Sequence, residues 1–363
     1  MLQHKTFKYR IYPSEEQIVL LRKTIGCCRF VFNHFLGQWN QAYETTGKGL
    51  SYNTCATELP AMKRERPWLK EVDSIALQSS VRHLADAFDR FFKKQNDAPR
   101  FKSRKHPVQS YTTRYTNGNI AVNGDRLQLP KLGWVRFAKS RELAGRILSA
   151  TIRLAPSGKW FVAVVCEADI QPLPRTNRTL GIDMGIKQLA VTTEGLAINN
   201  PRYTLQHEQQ LAKWQRILAR REQGGSNWYK AKRKVARIHE TICNCRLDGI
   251  HKQTTMWIRE NQTICIEDLR IANMMKNHHL AKHIADASWG EISRQLHYKA
   301  KWYGRTIKKA PTFAPTSQTC HVCGNKNADV KDLSIRVWEC STCHAVHDRD
   351  SNAAYNIRAM ALS

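Results

Sequence analysis

The sequence predicts a multidomain protein of mixed α+β and α/β class, and three observations carry that expectation. Turn-punctuated β-type runs flank a helical stretch in the first half, apolar strands ending in acids alternate with long helices in the second, and two Cys-x2-Cys pairs stand near the C-terminus. A chain of 363 residues buries a sizeable core and needs no disulfide staples. Its unusual property is a formal net charge of +28, because self-repulsion of that size is ordinarily relieved by a polyanion. Nucleic acid is therefore the first partner to consider. A membrane is the lesser alternative: no apolar run approaches spanning length and no hydrophobic signal region follows Met1, so the expectation is a soluble cytoplasmic or nucleoid-associated protein.

Lys5 to Pro13 alternates basic and apolar positions, as a strand with one wet face does, and Pro13 ends it. Ser14-Glu15-Glu16-Gln17 is a capping box opening a helix to about Leu36, with Ile18, Leu21, Ile25 and Phe32 near one stripe. Gly47 to Arg66 reads as a turn and short helix. Leu77, Val81, Leu84, Phe88 and Phe91 then mark a helix from about Ser74 to Lys94. Together these form a helical domain, 14–106, closed by a basic tail that contains Lys102. Turn signals at Asn117-Gly118-Asn119, Asn123-Gly124-Asp125 and Pro156-Ser157-Gly158 separate short β-type runs, at the spacing of an antiparallel sheet or small barrel. Residues 1–13 and 107–174 are thus expected to form one β-rich, barrel-like domain with the helical domain inserted after its first strand.

Thr179 to Asp183 reads as a buried strand ending in an acid, and Lys187 to Thr193 turns back beside it. Helices are expected over about 204–222 and 228–260, joined at Gly224-Gly225. Ala231, Val235, Ile238, Ile242 and Cys245 repeat at steps of four and three, a narrow seam suited to an antiparallel helical hairpin spanning 204–260. Its other faces carry Lys230, Lys232, Arg233, Lys234 and Arg237; charges of one sign favour phosphate contact over a merely solvated face. Ile264 to Glu267 is a second buried strand ending in acid, and a helix over 288–303 and a strand over 306–310 precede the cysteine segment.

Cys320-x2-Cys323 and Cys340-x2-Cys343 have the spacing that closes a tetrahedral Zn2+ site. Cys27, Cys28, Cys55, Cys166, Cys243, Cys245 and Cys265 lack such a pattern and are expected to be reduced, buried thiols. Directly behind the second pair comes Asp348-Arg349-Asp350-Ser351-Asn352, an acidic helix start. The order of elements allows Asp183 and Glu267 to occupy neighbouring strand ends, with Asp350 facing them from the helix. Carboxylates converging in this way repel one another unless hard cations sit among them, and Mg2+ or Mn2+ there would clamp the attacking and leaving oxygens of a phosphodiester. Strand alternation points Asp268 away if Glu267 points inward. Asp350 is preferred to Asp348 because it adjoins the Ser-Asn-Ala-Ala helix start, which leaves Asp348 and Arg349 to supporting or substrate-binding roles.

Gly181-Ile-Asp183-Met-Gly185-Ile-Lys187, Ile266-Glu267-Asp268-Leu269, Trp289-Gly290, the cysteine pairs and Asp348-Arg349-Asp350-Ser-Asn352-Ala-Ala together resemble the TnpB family, transposon-encoded RNA-guided DNA endonucleases related to type V CRISPR effectors. Tyr9-Arg-Ile-Tyr-Pro13, Tyr52-Asn53, Ala76-Leu77-Gln78 and Pro99-Arg-Phe-Lys102 extend the resemblance through the N-terminal half. The resemblance implies a RuvC-like nuclease domain of RNase H fold over 176–363, with a zinc ribbon at 316–346 inserted before its last helix. The β-rich part becomes a wedge-like domain and the helical part a recognition domain. The implied partners are a guide RNA from the transposon end and double-stranded target DNA bearing a short flanking motif, with base pairing reading sequence and Lys and Arg holding the backbones. Asp183, Glu267 and Asp350 match the catalytic triad. Tyr52 and Gln78 fall on the motif-reading helices, and Gln suits an adenine edge. Two rivals stay open: a transposase or resolvase that works without guide RNA, and a nuclease-inactive zinc-ribbon regulator, which predicts a damaged acid set.

Overall fold

The computed structural model describes residues 2–363, which form two compact units, 2–169 and 170–363. The first begins with β1 (Leu2–Tyr12), whose alternating exposure turns Phe7, Tyr9 and Ile11 inward. Three helices follow: α1 (Glu15–Thr46), α2 (Tyr52–Glu65) and α3 (Ser74–Phe92). Strands β2 (Gln109–Arg114), β3 (Ala121–Asn123), β4 (Arg126–Leu129), β5 (Gly133–Phe137), β6 (Arg146–Leu154) and β7 (Trp160–Asp169) complete the unit. They pair antiparallel in the order β2-β6-β7-β1-β5-β4-β3, so β1 is central and the helices lie between the first and second strands in sequence. The sheet is open, ending at β2 and β3, and among the described residues no closed barrel forms.

The capping box opens α1 as the sequence indicates, but the helix runs ten residues past Leu36. Trp39 is the reason: its ring stacks on Phe88 of α3 at 4.3 Å, a contact that contributes about 1 kcal/mol beyond area burial and anchors the added turns. Gly47, at φ 68°, then stops the helix, with its N–H donating to the Tyr43 carbonyl.

The second unit contains β8 (Thr179–Asp183), β9 (Gln188–Thr192), β10 (Ala197–Asn199), α4 (Tyr203–Gln206), α5 (Glu208–Ala219) and α6 (Ser226–Glu260). After them come β11 (Thr263–Glu267), α7 (Ile271–Met274), α8 (Ala281–Ala287), α9 (Trp289–Tyr303) and β12 (Thr306–Ala310). The chain closes with β13 (Val337–Glu339), β14 (Val346–Asp348) and α10 (Arg349–Leu362). The main sheet has the order β10-β9-β8-β11-β12, with β8, β11 and β12 parallel and β9 and β10 antiparallel. The single helix expected from residue 204 is two, α4 and α5. At the start of α4 the Thr204 N–H and hydroxyl both donate to the buried Asp286 carboxylate, which also pairs with Arg246 at 2.6 Å.

Strand alternation divides the two faces of this sheet. Leu180, Ile182, Ile264 and Ile266 face one way, into a core with Trp257 and Ile258 of α6 and Ile292 and Leu296 of α9. Cys265 lies on the opposite face, in a small cluster with Ala310 and Ile357 of α10. Gly181 shares that face, and a Cβ there would lie 2.3 Å from the Ala354 carbonyl, so only glycine lets α10 come this close to β8.

Candidate functional site

The same alternation that turns Gly181 and Cys265 toward α10 turns Asp183 and Glu267 the same way, two residues further along each strand. Because Ile182 pairs with Ile266 in parallel register, the two acids leave adjacent strands side by side. Asp350 enters from the first turn of α10. The structure thus brings together three carboxylates that lie far apart in sequence. Burial pushes the Asp183 carboxyl well above the usual carboxylate range, and the negative charges of Glu267 and Asp350 push it further; the Arg349 guanidinium opposes them. Burial also raises Glu267, partly offset by the Thr316 hydroxyl, which donates to Glu267 Oε1 at 3.3 Å. A divalent cation among these oxygens would relieve both the desolvation and the mutual repulsion, and an all-carboxylate donor set suits a hard ion such as Mg2+ or Mn2+.

The acids flanking this group are otherwise engaged. Asp268 pairs with Lys309 Nζ at 2.8 Å and accepts from the Thr312 hydroxyl, and these partners hold its pKa below the usual value. Asp348 caps α10, accepting from Ser351 N–H at 2.9 Å. Its effect on Asp183 is smaller than that of Asp350. Arg349 is buried and donates to the Asp332 carbonyl at 2.7 Å, so it serves the fold and is not a free substrate contact. Arg336 reaches Asp350 Oδ1 at 3.4 Å. Nothing in the spacing pointed to Arg336 or Thr316, because their roles arise where a loop passes the strand ends.

The four cysteine sulfurs of Cys320, Cys323, Cys340 and Cys343 lie within 4.8 Å of one another, a set that fits a zinc ribbon. Both pairs sit in matching knuckles. Cys320 N–H donates to the Asn325 carbonyl and Gly324 N–H to the Cys320 carbonyl; Cys340 N–H donates to Ala345 and His344 N–H to Cys340 in the same way. Gly324 and His344 hold the equivalent left-handed positions, at φ 78° and 58°. His347 Nε2 lies 3.0 Å from Cys320 Sγ. Elsewhere Cys27, Cys28, Cys55, Cys166 and Cys265 are buried, but Cys243 is exposed, against expectation, because it faces outward from α6 beside the buried Ile242.

Two asparagines tie the thiol group to the acids. Asn352 Oδ1 accepts from His321 N–H at 3.0 Å, and its Nδ2 donates to the Thr319 carbonyl at 2.8 Å; Asn356 Nδ2 donates to the Thr316 carbonyl at 2.7 Å. Thr316, held by Asn356 through its carbonyl, holds Glu267 through its hydroxyl. The entry to the cysteine segment is thereby clamped to the helix that carries Asp350.

The cationic candidates divide into two groups. On α6, Lys230, Lys232, Arg233, Lys234 and Arg237 are all exposed and none forms a salt bridge among the described residues; Lys232 lies over the Trp228 ring at 4.5 Å. On the N-terminal helices, Arg82 stacks on the Tyr52 ring at 3.3 Å, and the exposed Gln78 sits one turn earlier on the same face of α3. Lys102 is exposed as a residue, yet its ammonium is tucked over the Phe32 ring at 3.8 Å, and desolvation there lowers its pKa.

Comparison with known proteins gives this arrangement a family. Residues 162–278 match the family described as OrfB_IS605, "Probable transposase", and residues 289–357 match "Cas12f1-like, TNB domain". Residues 1–48 match a family described as "Helix-turn-helix domain", although here residues 2–48 contain a strand and one long helix, β1 and α1. The chain is 39% identical to the "Putative RNA-guided DNA endonuclease" of Streptomyces pristinaespiralis, over 99% of this chain and 90% of that one. It is 34% identical to the "Putative RNA-guided DNA endonuclease InsQ" of Escherichia coli (strain K12), over 99% and 92%. A solved structure titled "Cryo-EM structure of the Cas12f1-sgRNA-target DNA complex" contains a chain of the same fold, with a TM-score of 0.64 at 12% identity, covering 98% of this chain and 99% of that one. The family match defines a class, the IS605 OrfB proteins, here with a four-cysteine cluster that fits a zinc ribbon. The chain belongs to the TnpB family within it.

Proposed function

We propose that this protein is an RNA-guided DNA endonuclease that hydrolyses phosphodiesters at a RuvC-like site formed by Asp183, Glu267 and Asp350. The observation that carries the reading is the convergence of these three acids at the end of the β8/β11 pair, with the half-buried Asp183 carboxyl raised by desolvation and by the charges of the other two. Mg2+ or Mn2+ held there would stabilise the attacking and leaving oxygens of the phosphodiester. Thr316 orients Glu267, and Arg336 steadies Asp350. Zn2+ at Cys320, Cys323, Cys340 and Cys343 is structural and holds the entry to α10.

In this reading 1–13 with 107–174 act as the wedge-like domain, 14–106 as the recognition domain, and 176–363 as the nuclease domain with its ribbon at 316–346. A guide RNA from the transposon end selects double-stranded DNA that bears a short flanking motif. Tyr52 and Gln78 contact that motif, and Lys102 with the α6 residues Lys230, Lys232, Arg233, Lys234 and Arg237 contacts phosphates. Among the described residues no helix is long and apolar enough to cross a membrane, in keeping with a cytoplasmic, nucleoid-associated role.

Sequencing the RNA that copurifies with the full chain, then challenging the complex with matched DNA, tests this. A defined RNA and match-dependent cutting that disappears in Asp183→Ala are expected. Random RNA fragments, or DNA joining by protein alone, would overturn the proposal in favour of a general binder or an unguided transposase.

A further inference from the structure

Beside Glu267 lies a cavity of about 390 Å³ whose walls include Leu269, Arg270, Met274, Pro311 and Phe313. Its rim is a four-residue turn, Pro311 to Ala314, closed by Ala314 N–H donating to the Pro311 carbonyl at 3.2 Å and fixed at its second residue by the Thr312 hydroxyl on Asp268. The third residue of the turn is Phe313, at φ 64°, a position that favours glycine because a side chain there is strained. Packing does not compensate for that strain: Phe313 is 89% exposed and has no ring partner among the described residues. A large aromatic ring is therefore held in water, at an energetic cost, on the lip of a cavity that shares a wall with the acidic site.

We propose that Phe313 is a stacking platform for one base of the single-stranded DNA next to the phosphate cut at Asp183, Glu267 and Asp350. The inference rests on the nuclease reading of that site. Chemistry in the cavity selects this occupant. A flat apolar ring suits the π-face of any base, Arg270 supplies a cation for the backbone, and Leu269 and Met274 supply an apolar floor. A duplex keeps its bases stacked on one another, so the platform selects a strand that has already been separated.

The test uses the full chain with its copurified RNA and a matched DNA. Phe313→Ala and Phe313→Gly should each slow cleavage roughly tenfold, the size of one lost base–aromatic stack, and Phe313→Trp should retain it. Phe313→Gly should melt at or above the parent temperature, because glycine relieves the turn; a merely structural Phe313 would lower it. An abasic nucleotide beside the cut should slow the parent to the level of Phe313→Ala and leave Phe313→Ala no slower. Parental rates in both small variants, or equal abasic losses in parent and Phe313→Ala, would overturn the platform. If the parent does not cut at all, the nuclease reading falls. Stacking is then read from the affinity of Asp183→Ala and Asp183→Ala/Phe313→Ala for intact and abasic single-stranded oligonucleotides: an abasic penalty confined to the former supports the platform, and its absence removes it.

Discussion

The second unit holds two clusters of ionisable side chains, and they are assembled in opposite ways. The thiol cluster is built from two nearly identical knuckles, each closed by its own backbone hydrogen bonds, which hold its sulfurs within 4.8 Å of one another. The carboxylate cluster has no local frame. Asp183, Glu267 and Asp350 come from two strands and a helix, and they meet only because the sheet register and the approach of α10 over Gly181 bring them there. Soft thiols in local loops make a closed site that stabilises the fold. Hard acids on distant elements make a site that works against the fold until it is neutralised, as an active site does.

Breaking the thiol cluster should have the largest effect. Cys340→Ser in the full chain should lower bound zinc from about one ion per chain to near none, since structural zinc contributes roughly 10 kcal/mol or more to small sites of this kind. Elemental analysis of the purified protein measures it, and normal zinc content would remove Cys340 from the ligand set.

The clamp between the clusters comes next. Asn352→Ala deletes a buried amide, leaves the His321 N–H without its partner and leaves the Thr319 carbonyl to Asn356 Nδ2 alone, a loss of about 2 kcal/mol by denaturant unfolding. Zinc should also pass to a chelator faster in this variant, and an unchanged release rate would mean that the two clusters are independent.

The smallest effect is expected at the acids and has the opposite sign. Because the folded carboxyl of Asp183 holds its proton to higher pH than an unfolded Asp, the folded state binds more protons across that interval, and stability falls as pH rises through it. Asp183→Asn should therefore stabilise the metal-free chain near neutral pH by about 1 kcal/mol and give no gain in acid. Mn2+ affinity of the parent, measured by calorimetric titration, should rise over the same interval as the competing proton leaves. A destabilised Asp183→Asn at neutral pH, or pH-independent Mn2+ binding, would show that the carboxylates do not strain the fold.

Legibility in the sequence followed the same division. The cysteine pairs were visible because their spacing is local, and the capping box at Ser14 and Gln17 for the same reason. The strands carrying Asp183 and Glu267 stood out as apolar runs ending in acid. The length of α1 did not, since Trp39 is held by Phe88 from another helix. The break between α4 and α5 was hidden as well, since His207, whose N–H donates to the Thr204 carbonyl at 3.3 Å, ends one helix and opens the next with no glycine or proline to mark it. The roles of Thr316, Arg336 and Asn356 had no periodic signal, because each acts on a residue distant in the chain.

By itself the sequence determined the residue types, the zinc-type spacing, the strand faces and the excess of positive charge, all properties of neighbours along the chain. Tertiary structure alone decided that three separate acids share one charged environment, that two asparagines bind the ribbon to the helix bearing the third, and that Phe313 stands in water beside them. These are matters of register and helix approach, set by burial of the β8 and β11 side chains that face away from the site.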